Sequence, residues 1–302
     1  MNIRKLFAFF PLVIPIWEKI PLDMENTSAP DAPYFADNAS IKMQSDYMAR
    51  TQDSRLRSKI ALTLSYSENA AAIEVLEGCL QEEKNEFVQA DILAALYDLK
   101  AYGNCKKITL LKGLLKSQNK SVRALSAALC LRAANDLSSA YDLLGAETDE
   151  YVINFLWNEI SSNKDLAKHT KDSELDRFLS SENIHQRAGA VKVLAEKSED
   201  PDKDARLNKM MADKSIVVKA ALASALAARE KGALEMMAKL ADDKDVSVRA
   251  FAASSAPLPE RLQVFIKLSV DPDEEVRRIA CVSLGSYKEP GAIDALLVRT
   301  GD

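Results

Sequence analysis

An all-α protein of stacked helix pairs is the architecture this sequence predicts, on three observations. A short pattern recurs eight times at intervals of 28 to 34 residues, every copy opens on a helix-capping residue, and turn formers are scarce, with nine glycines and ten prolines in 302 residues. The interval holds two helices and two short turns but not a βαβ unit plus a second helix. So few turn formers also argue against an all-β chain.

The copies read DSRLRSKIALTL, NEFVQADILAAL, NKSVRALSAALC, DEYVINFLWNEI, NIHQRAGAVKVL, SIVVKAALASAL, DVSVRAFAASSA and DEEVRRIACVSL. Each can be aligned on an anchor position held by Arg57, Gln89, Arg123, Ile153, Arg187, Lys219, Arg249 and Arg277. Four residues earlier stand Asp53, Asn85, Asn119, Asp149, Asn183, Ser215, Asp245 and Asp273, all residues whose side-chain oxygens accept from the orphan N–H groups of a helix start. The residue before the anchor is apolar except at Gln186. The columns three and seven residues after the anchor are mostly apolar and lie four apart, which makes one stripe of a 3.6-residue helix. Weaker amphipathic segments alternate with these helices at 69–82, 105–117, 136–146, 172–180, 203–212, 233–241 and 259–270, with 41–51 as another. Beyond Pro290, GAIDALLVRT reads as half of a further pair, which suits a terminal cap.

With these residues set out, the stretches DPDEEVRRIACVSL and DDKDVSVRAFAASS resemble the HEAT repeat, and within it the short bacterial repeats named after phycobilisome lyase. The resemblance covers about residues 41–302. It implies a right-handed, armadillo-type α-solenoid of about eight helix pairs whose second helices line the concave surface. It also implies a structural role for the basic anchors, because the HEAT arginine commonly pairs with a turn aspartate to form a ladder between repeats. Arg123, Arg187, Lys219, Arg249 and Arg277 are the expected ladder bases. Asp213, Asp243, Asp245, Asp271 and Asp273, six or four residues ahead of their anchors, are the expected acids. The residues alone leave a second reading open, a stripe of cations that tracks a phosphate backbone.

Candidate binding residues lie one and five positions past the anchor. There a solvated helix would carry charge, but this chain has Ala124, Ala128, Asn154, Asn158, Lys192, Ala220, Ser224, Ala250 and Ser254. Either these small side chains floor a groove for a partner's backbone, or they let neighbouring helices crowd together. Trp157 occupies a column otherwise filled mostly by alanine. It is either core packing in an irregular repeat or an aromatic contact for a partner.

Composition narrows the function. The net charge of −5 is not the basic surface that non-specific phosphate binding needs, so no nucleic-acid partner is expected. None of the four cysteines (Cys79, Cys105, Cys130, Cys281) forms a CxxC pair, and they read as reduced thiols. His169 precedes Thr170 and His185 precedes Gln186, so the His-Glu pairs of deoxyhypusine hydroxylase, a HEAT enzyme, are missing. No phosphate loop, GxSxG elbow or HExxH motif occurs. No catalytic residue, metal or cofactor is therefore expected. The reading is a non-catalytic scaffold or adaptor that binds a protein on its concave face, and its alternative is a HEAT-type enzyme of the bilin-lyase kind.

Residues 1–40 stand apart from the repeats. Arg4 and Lys5 precede an apolar run, Leu6 to Trp17, that resembles a secretory signal but is short for a spanning helix and holds Pro11 and Pro15. Export or membrane attachment through this run and a cytoplasmic location both stay open. Residues 21–40 read as a Pro/Ser/Asp-rich linker.

Overall fold

The structure is a computed structural model and describes residues 37–67, 69–99, 107–197, 203–227, 233–254 and 259–299. The apolar run 6–17, Cys105 and Ala256 lie outside these residues. Eighteen α-helices and no strand occur among the described residues. The second helices of the eight pairs are α2 (Ser54–Leu64), α4 (Glu86–Asp98), α6 (Lys120–Ala134), α8 (Glu150–Ser162), α11 (Ile184–Glu196), α13 (Ile216–Ala227), α15 (Val246–Ala253) and α17 (Glu274–Leu284). The first helices are α1 (Asn38–Arg50), α3 (Ala70–Glu82), α5 (Ile108–Leu114), α7 (Leu137–Ala146), α10 (Asp172–Leu179), α12 (Lys203–Met210), α14 (Leu234–Leu240) and α16 (Leu262–Leu268). A lone α18 (Pro290–Val298) ends the stack, with its proline at the helix start, where a missing N–H costs nothing. Two boundaries differ from the sequence reading. Asp37 caps α1, so the repeat region begins before residue 41. A short helix, α9 (Lys164–His169), precedes α10, and Asn163 both closes α8 and caps it.

Each second helix starts where its capping residue stands. Asp53, Asn85, Asn119, Asp149, Asn183, Asp245 and Asp273 each accept an N–H two residues on, at 2.8 to 3.0 Å. Ser215 holds the same place before α13, and its carbonyl accepts the Lys219 N–H at 3.2 Å. Each side-chain cap contributes about 1 kcal/mol to its helix. At the other end of α13, the buried Arg261 donates to the carbonyls of Leu226 and Ala227 at 2.9 and 2.8 Å, which occupies acceptors that the helix itself leaves open.

The basic anchors tie each repeat to the next. Arg57 meets Glu83, Arg123 meets Glu147, Arg187 meets Asp213, and Arg249 meets Asp271, all at 2.6 to 2.7 Å, and Lys219 meets Asp243 at 2.5 Å. The same guanidinium reaches back into its own turn, as Arg249 does to the carbonyls of Asp243 and Lys244, and Arg277 to those of Asp271 and Pro272. The rung acid stands two residues before the cap of the following second helix. Its carboxylate also accepts the cap residue's own N–H, at 2.7 to 3.0 Å. Asp245 and Asp273, expected as ladder acids, instead cap α15 and α17, because four residues before the anchor puts a carboxylate over the helix start.

The interruptions are matched in pairs. Gln89 replaces a base, and the residue that would face it is Ser117; Ile153 replaces a base, and its counterpart is Ser181. Both serine hydroxyls still accept the cap N–H, at 3.1 and 3.2 Å, so the turn keeps its hydrogen bond and drops only the charge. A carboxylate left there without its base would be a partly buried charge, and that is costly.

Among the described residues, buried side chains form three clusters. One runs from Ile41 to Cys130, a second from Ala124 to Ala280, and a small third joins Phe265, Leu284 and Ala292. The first two meet across α6, and Phe155 packs against both. Outside the core the same junction carries a polar clasp. Arg132 lies 3.5 Å over the Tyr97 ring, donates to the Tyr97 carbonyl at 3.0 Å and pairs with Glu159 at 3.1 Å, while the Tyr97 hydroxyl donates to Glu159.

The irregularities of repeats four and five are one packing solution. Trp157 is 1% exposed, meets Phe178 edge to face at 5.1 Å and lies 6.3 Å from the Tyr141 ring. Its indole N–H donates to Gln186 at 2.8 Å, and Gln186 donates in turn to the Leu144 carbonyl. That explains the one polar residue in an apolar column. Gly189 makes room for the indole, because a Cβ there would lie 2.0 Å from the Trp157 ring.

Three outcomes follow. Arg249→Met should lower stability by about 3 kcal/mol, because it strands the Asp271 carboxylate, which is only 5% exposed. Burial alone would raise the Asp271 and Glu147 carboxyls, but the guanidinium and backbone N–H groups outweigh it and hold both below their ordinary values of 3.8 and 4.5. Their contribution is complete above those values and is lost as pH falls through the depressed folded-state values. Acid titration of stability should therefore show a decline below about pH 4 that is shallower in Asp271→Asn. Gly189→Ala should cost about 1–3 kcal/mol by overpacking, and calorimetry should find most of that cost gone in a Trp157→Leu background.

Candidate binding surface

Among the described residues, neighbouring second helices pack backbone to backbone at every step, whereas neighbouring first helices approach that closely at the two ends, α1 on α3 and α16 on α18, and elsewhere meet through longer side chains, as Arg206 of α12 does with Asp176 of α10 at 2.7 Å. The stack therefore bends toward the second helices, and they form its inner surface. Such close approach requires small residues at the contact. Ala124, Ala128, Ala220 and Ala250 are buried, none more than 3% exposed, so they space the helices and do not floor an open groove. Trp157 is likewise enclosed in the core and offers no surface to a partner.

What remains accessible is a polar row. Asn154, Asn158 and Lys192 are half-buried, and Ser224 and Ser254 are exposed. On α8 and α11 these groups are joined by hydrogen bonds. Lys192 Nζ donates to Asn158 Oδ1 at 3.1 Å, Asn154 Nδ2 lies 3.2 Å from His185 Nδ1, and His185 Nε2 lies 3.1 Å from the Glu150 carboxylate. With Asn154 as donor, the imidazole accepts at Nδ1 and carries its proton on Nε2, toward Glu150. Burial pushes the Lys192 ammonium below its ordinary value. Ser254 Oγ donates to the Phe251 carbonyl at 2.9 Å.

Aromatic groups adjoin the row. Tyr151 and Phe155 stack with centroids 6.0 Å apart, Tyr97 lies 5.8 Å from Phe155, and Lys120 Nζ lies 5.6 Å from the Tyr151 ring centroid. All three rings are half-buried. Tyr151 and Phe155 lie four apart in the same copy as Trp157, and their partial exposure depends on which side of α8 faces the next helix. Repeat periodicity alone did not give that orientation.

The chemistry this arrangement offers is hydrogen bonding and stacking. Among the described residues, no group of three or more His, Cys, Asp or Glu side chains could hold a metal ion, and no helix is long and apolar enough to cross a membrane. The ladder bases face turn acids, and Arg123, Arg187, Lys219 and Arg249 keep 12 to 17% of their side-chain surface exposed. They do not form an open cationic stripe.

No family model and no curated protein matches the sequence. Solved structures resemble it at low identity. The complex of CpcE and CpcF of phycocyanin lyase from Nostoc sp. PCC7120 is 15% identical, with a TM-score of 0.44 over 91% of this chain and 100% of that chain. Kap95p, in a structure with RanGDP, is 13% identical with a TM-score of 0.45, over 84% of this chain and 45% of that one. Human deoxyhypusine hydroxylase is 14% identical with a TM-score of 0.33, over 86% and 97% of the two chains. Identities this low concern the fold alone. By its stacked helix pairs and inter-repeat rungs, the chain is an α-solenoid, similar in fold to HEAT-repeat proteins.

Proposed function

We propose that this solenoid is a non-catalytic scaffold that docks a protein on the inner surface of its second helices. The observation that carries the reading is the accessible row of polar side chains, Asn158, Lys192, Ser224 and Ser254, on four successive second helices, α8, α11, α13 and α15. The half-buried Tyr151 and Phe155 beside it supply the apolar contact that docking surfaces concentrate. Inner surfaces of solenoids are suited to extended partners because successive repeats repeat the same geometry. No nucleophile with an adjacent base, and no pair of carboxylates around a cleft, competes with this reading among the residues of the row.

The test exploits the difference between the buried and exposed columns. Ser224→Arg combined with Ser254→Glu should fold normally, with a stability change within about 0.5 kcal/mol, and should lose partner capture. Ala220→Glu, at a position 1% exposed, should unfold the chain and serves as the control for disruption. A photo-crosslinker at Ser224 should yield a discrete protein adduct that one at the exposed Lys209, on the first helix α12, does not. Equal adducts at both positions, or undiminished capture by the folded double variant, would place the docking surface elsewhere.

A further inference from the structure

The fourth rung of the ladder is open in a way that the second is not. In six of the eight copies the anchor side chain donates to the carbonyl six residues back in its own turn. Arg57, Gln89, Arg123, Arg187, Arg249 and Arg277 reach the carbonyls of Thr51, Glu83, Ser117, Ser181, Asp243 and Asp271 at 2.7 to 3.2 Å. In a seventh copy Lys219 brings an ammonium to Asp243. Ile153 has no donor to offer, and among the described residues no hydrogen bond reaches the Glu147 or Thr148 carbonyl that an anchor there would serve. The two interruptions also differ across the gap. At the second, Ser117 Oγ donates to Glu86 at 2.6 Å, so Gln89 and Ser117 are both engaged. At the fourth, Ser181 Oγ accepts the Asn183 N–H and donates to no described residue, while Glu150, in the place of Glu86, faces His185. A cleft of about 550 Å³ lies at this gap, between the end of α7 and the turn before α11.

Three charged residues line the cleft. Glu147 is held by Arg123 at 2.7 Å and Arg177 by Glu174 at 3.1 Å, and Arg177 also donates to the Tyr141 carbonyl. The exposed Asp142 makes no ion pair among the described residues, so the lining has one negative charge in excess. It also includes the carbonyl end of the ten-residue α7, whose partial negative charge favours a cation. On the opposite wall Asn183 Oδ1 caps α11, and Gln186 is bonded to Trp157 and the Leu144 carbonyl. Leu144 and Phe178 offer apolar contact to the stem of a long side chain. Ser181 already does what a rung acid does for the cap N–H, and no residue does what the base does. We propose that this cleft receives an arginine side chain of a partner protein, which completes the fourth rung in trans. The guanidinium fork suits it better than an ammonium, because one edge can serve the Glu147 carbonyl while another serves Ser181 or Asp142. A net charge of −5 draws a basic partner. None of Asn158, Lys192, Ser224 and Ser254 lines the cleft, so the inference and the inner-surface docking reading stand or fall separately.

Selection of random dodecapeptides on the immobilised full chain tests it. Enriched peptides should share an arginine at one position. Replacing that arginine by citrulline, which keeps the shape and removes the charge, should weaken binding at least about tenfold. Ile153→Arg with Ser181→Asp copies the Arg187–Asp213 rung into the gap. This variant should melt no lower than the wild type and bind the same peptides at least about tenfold more weakly. Asp142→Asn, at an exposed position, removes the unpaired carboxylate without filling the cleft and should weaken them about threefold, whether or not the restored rung folds. Arginine peptides that bind the folded restored rung, or Asp142→Asn, as tightly as the wild type would overturn the inference. Selected peptides that carry Asp or Glu and depend on Arg177 would overturn it too. So would a selection on the wild-type chain in which arginine does not enrich, a result that needs no variant to fold.

Discussion

A basic anchor in this protein holds two turns at once. The Arg249 guanidinium donates through one edge to Asp271 in the next repeat and through its remaining nitrogen to carbonyls of its own turn. The Asp271 carboxylate it grips is already positioned by the Asp273 N–H, and Asp273 starts the following helix. Helix start, turn conformation and spacing between repeats are thus linked in one hydrogen-bonded unit. Where the base is absent the unit simplifies without breaking, because Ser117 and Ser181 keep the turn bond. The rest of the stack depends on this unit, since it sets how closely successive second helices approach, and so which of their side chains are enclosed.

That closeness decides what the inner surface presents. One residue past the anchor, alanine is enclosed at Ala124, Ala188, Ala220 and Ala250. Five past the anchor, the column is half-buried at Leu62, enclosed at Ala94 and Ala128, and reaches the surface from Asn158 onward. This column is therefore closed at repeats two and three and accessible from repeat four onward. The change falls at repeat four, where the core also rearranges around Trp157, Gln186 and Gly189.

Much of this was legible in the sequence, and the reasons differ by feature. Helix starts could be read from Asp53 to Asp273 because capping is a local interaction between residues two or three apart. Rung partners were harder to read, because Arg187 and Asp213 belong to different repeats, and a carboxylate as near in sequence as Asp245 is to Arg249 proves to be a cap. The agreement of Gln89 with Ser117 and of Ile153 with Ser181 was already in the sequence. It becomes meaningful only once the rung is known to cross from one repeat to the next. The enclosure of Ala220 beside the exposure of Ser224 was not legible, because both are small residues on one face. Their separation depends on the distance between helices, which is a tertiary quantity. The polar exception Gln186 was visible as an exception, but its partners, Trp157 and Leu144, lie in the preceding repeat.

Because each rung joins a base to the acid of the following repeat, the order of repeats obeys a matching rule. Repeats six, seven and eight all bring an aspartate, Asp213, Asp243 or Asp271, and repeats five to seven all end on a base, Arg187, Lys219 or Arg249. Removing or duplicating repeat six or seven would still join a base to an acid. Removing repeat three would set Gln89 against Glu147, and removing repeat five would set Ile153 against Asp213, and each change would strand a carboxylate. By this rule repeats six and seven are the units that can be lost or duplicated singly, while in the first five repeats the uncharged rungs must be removed together with a neighbour.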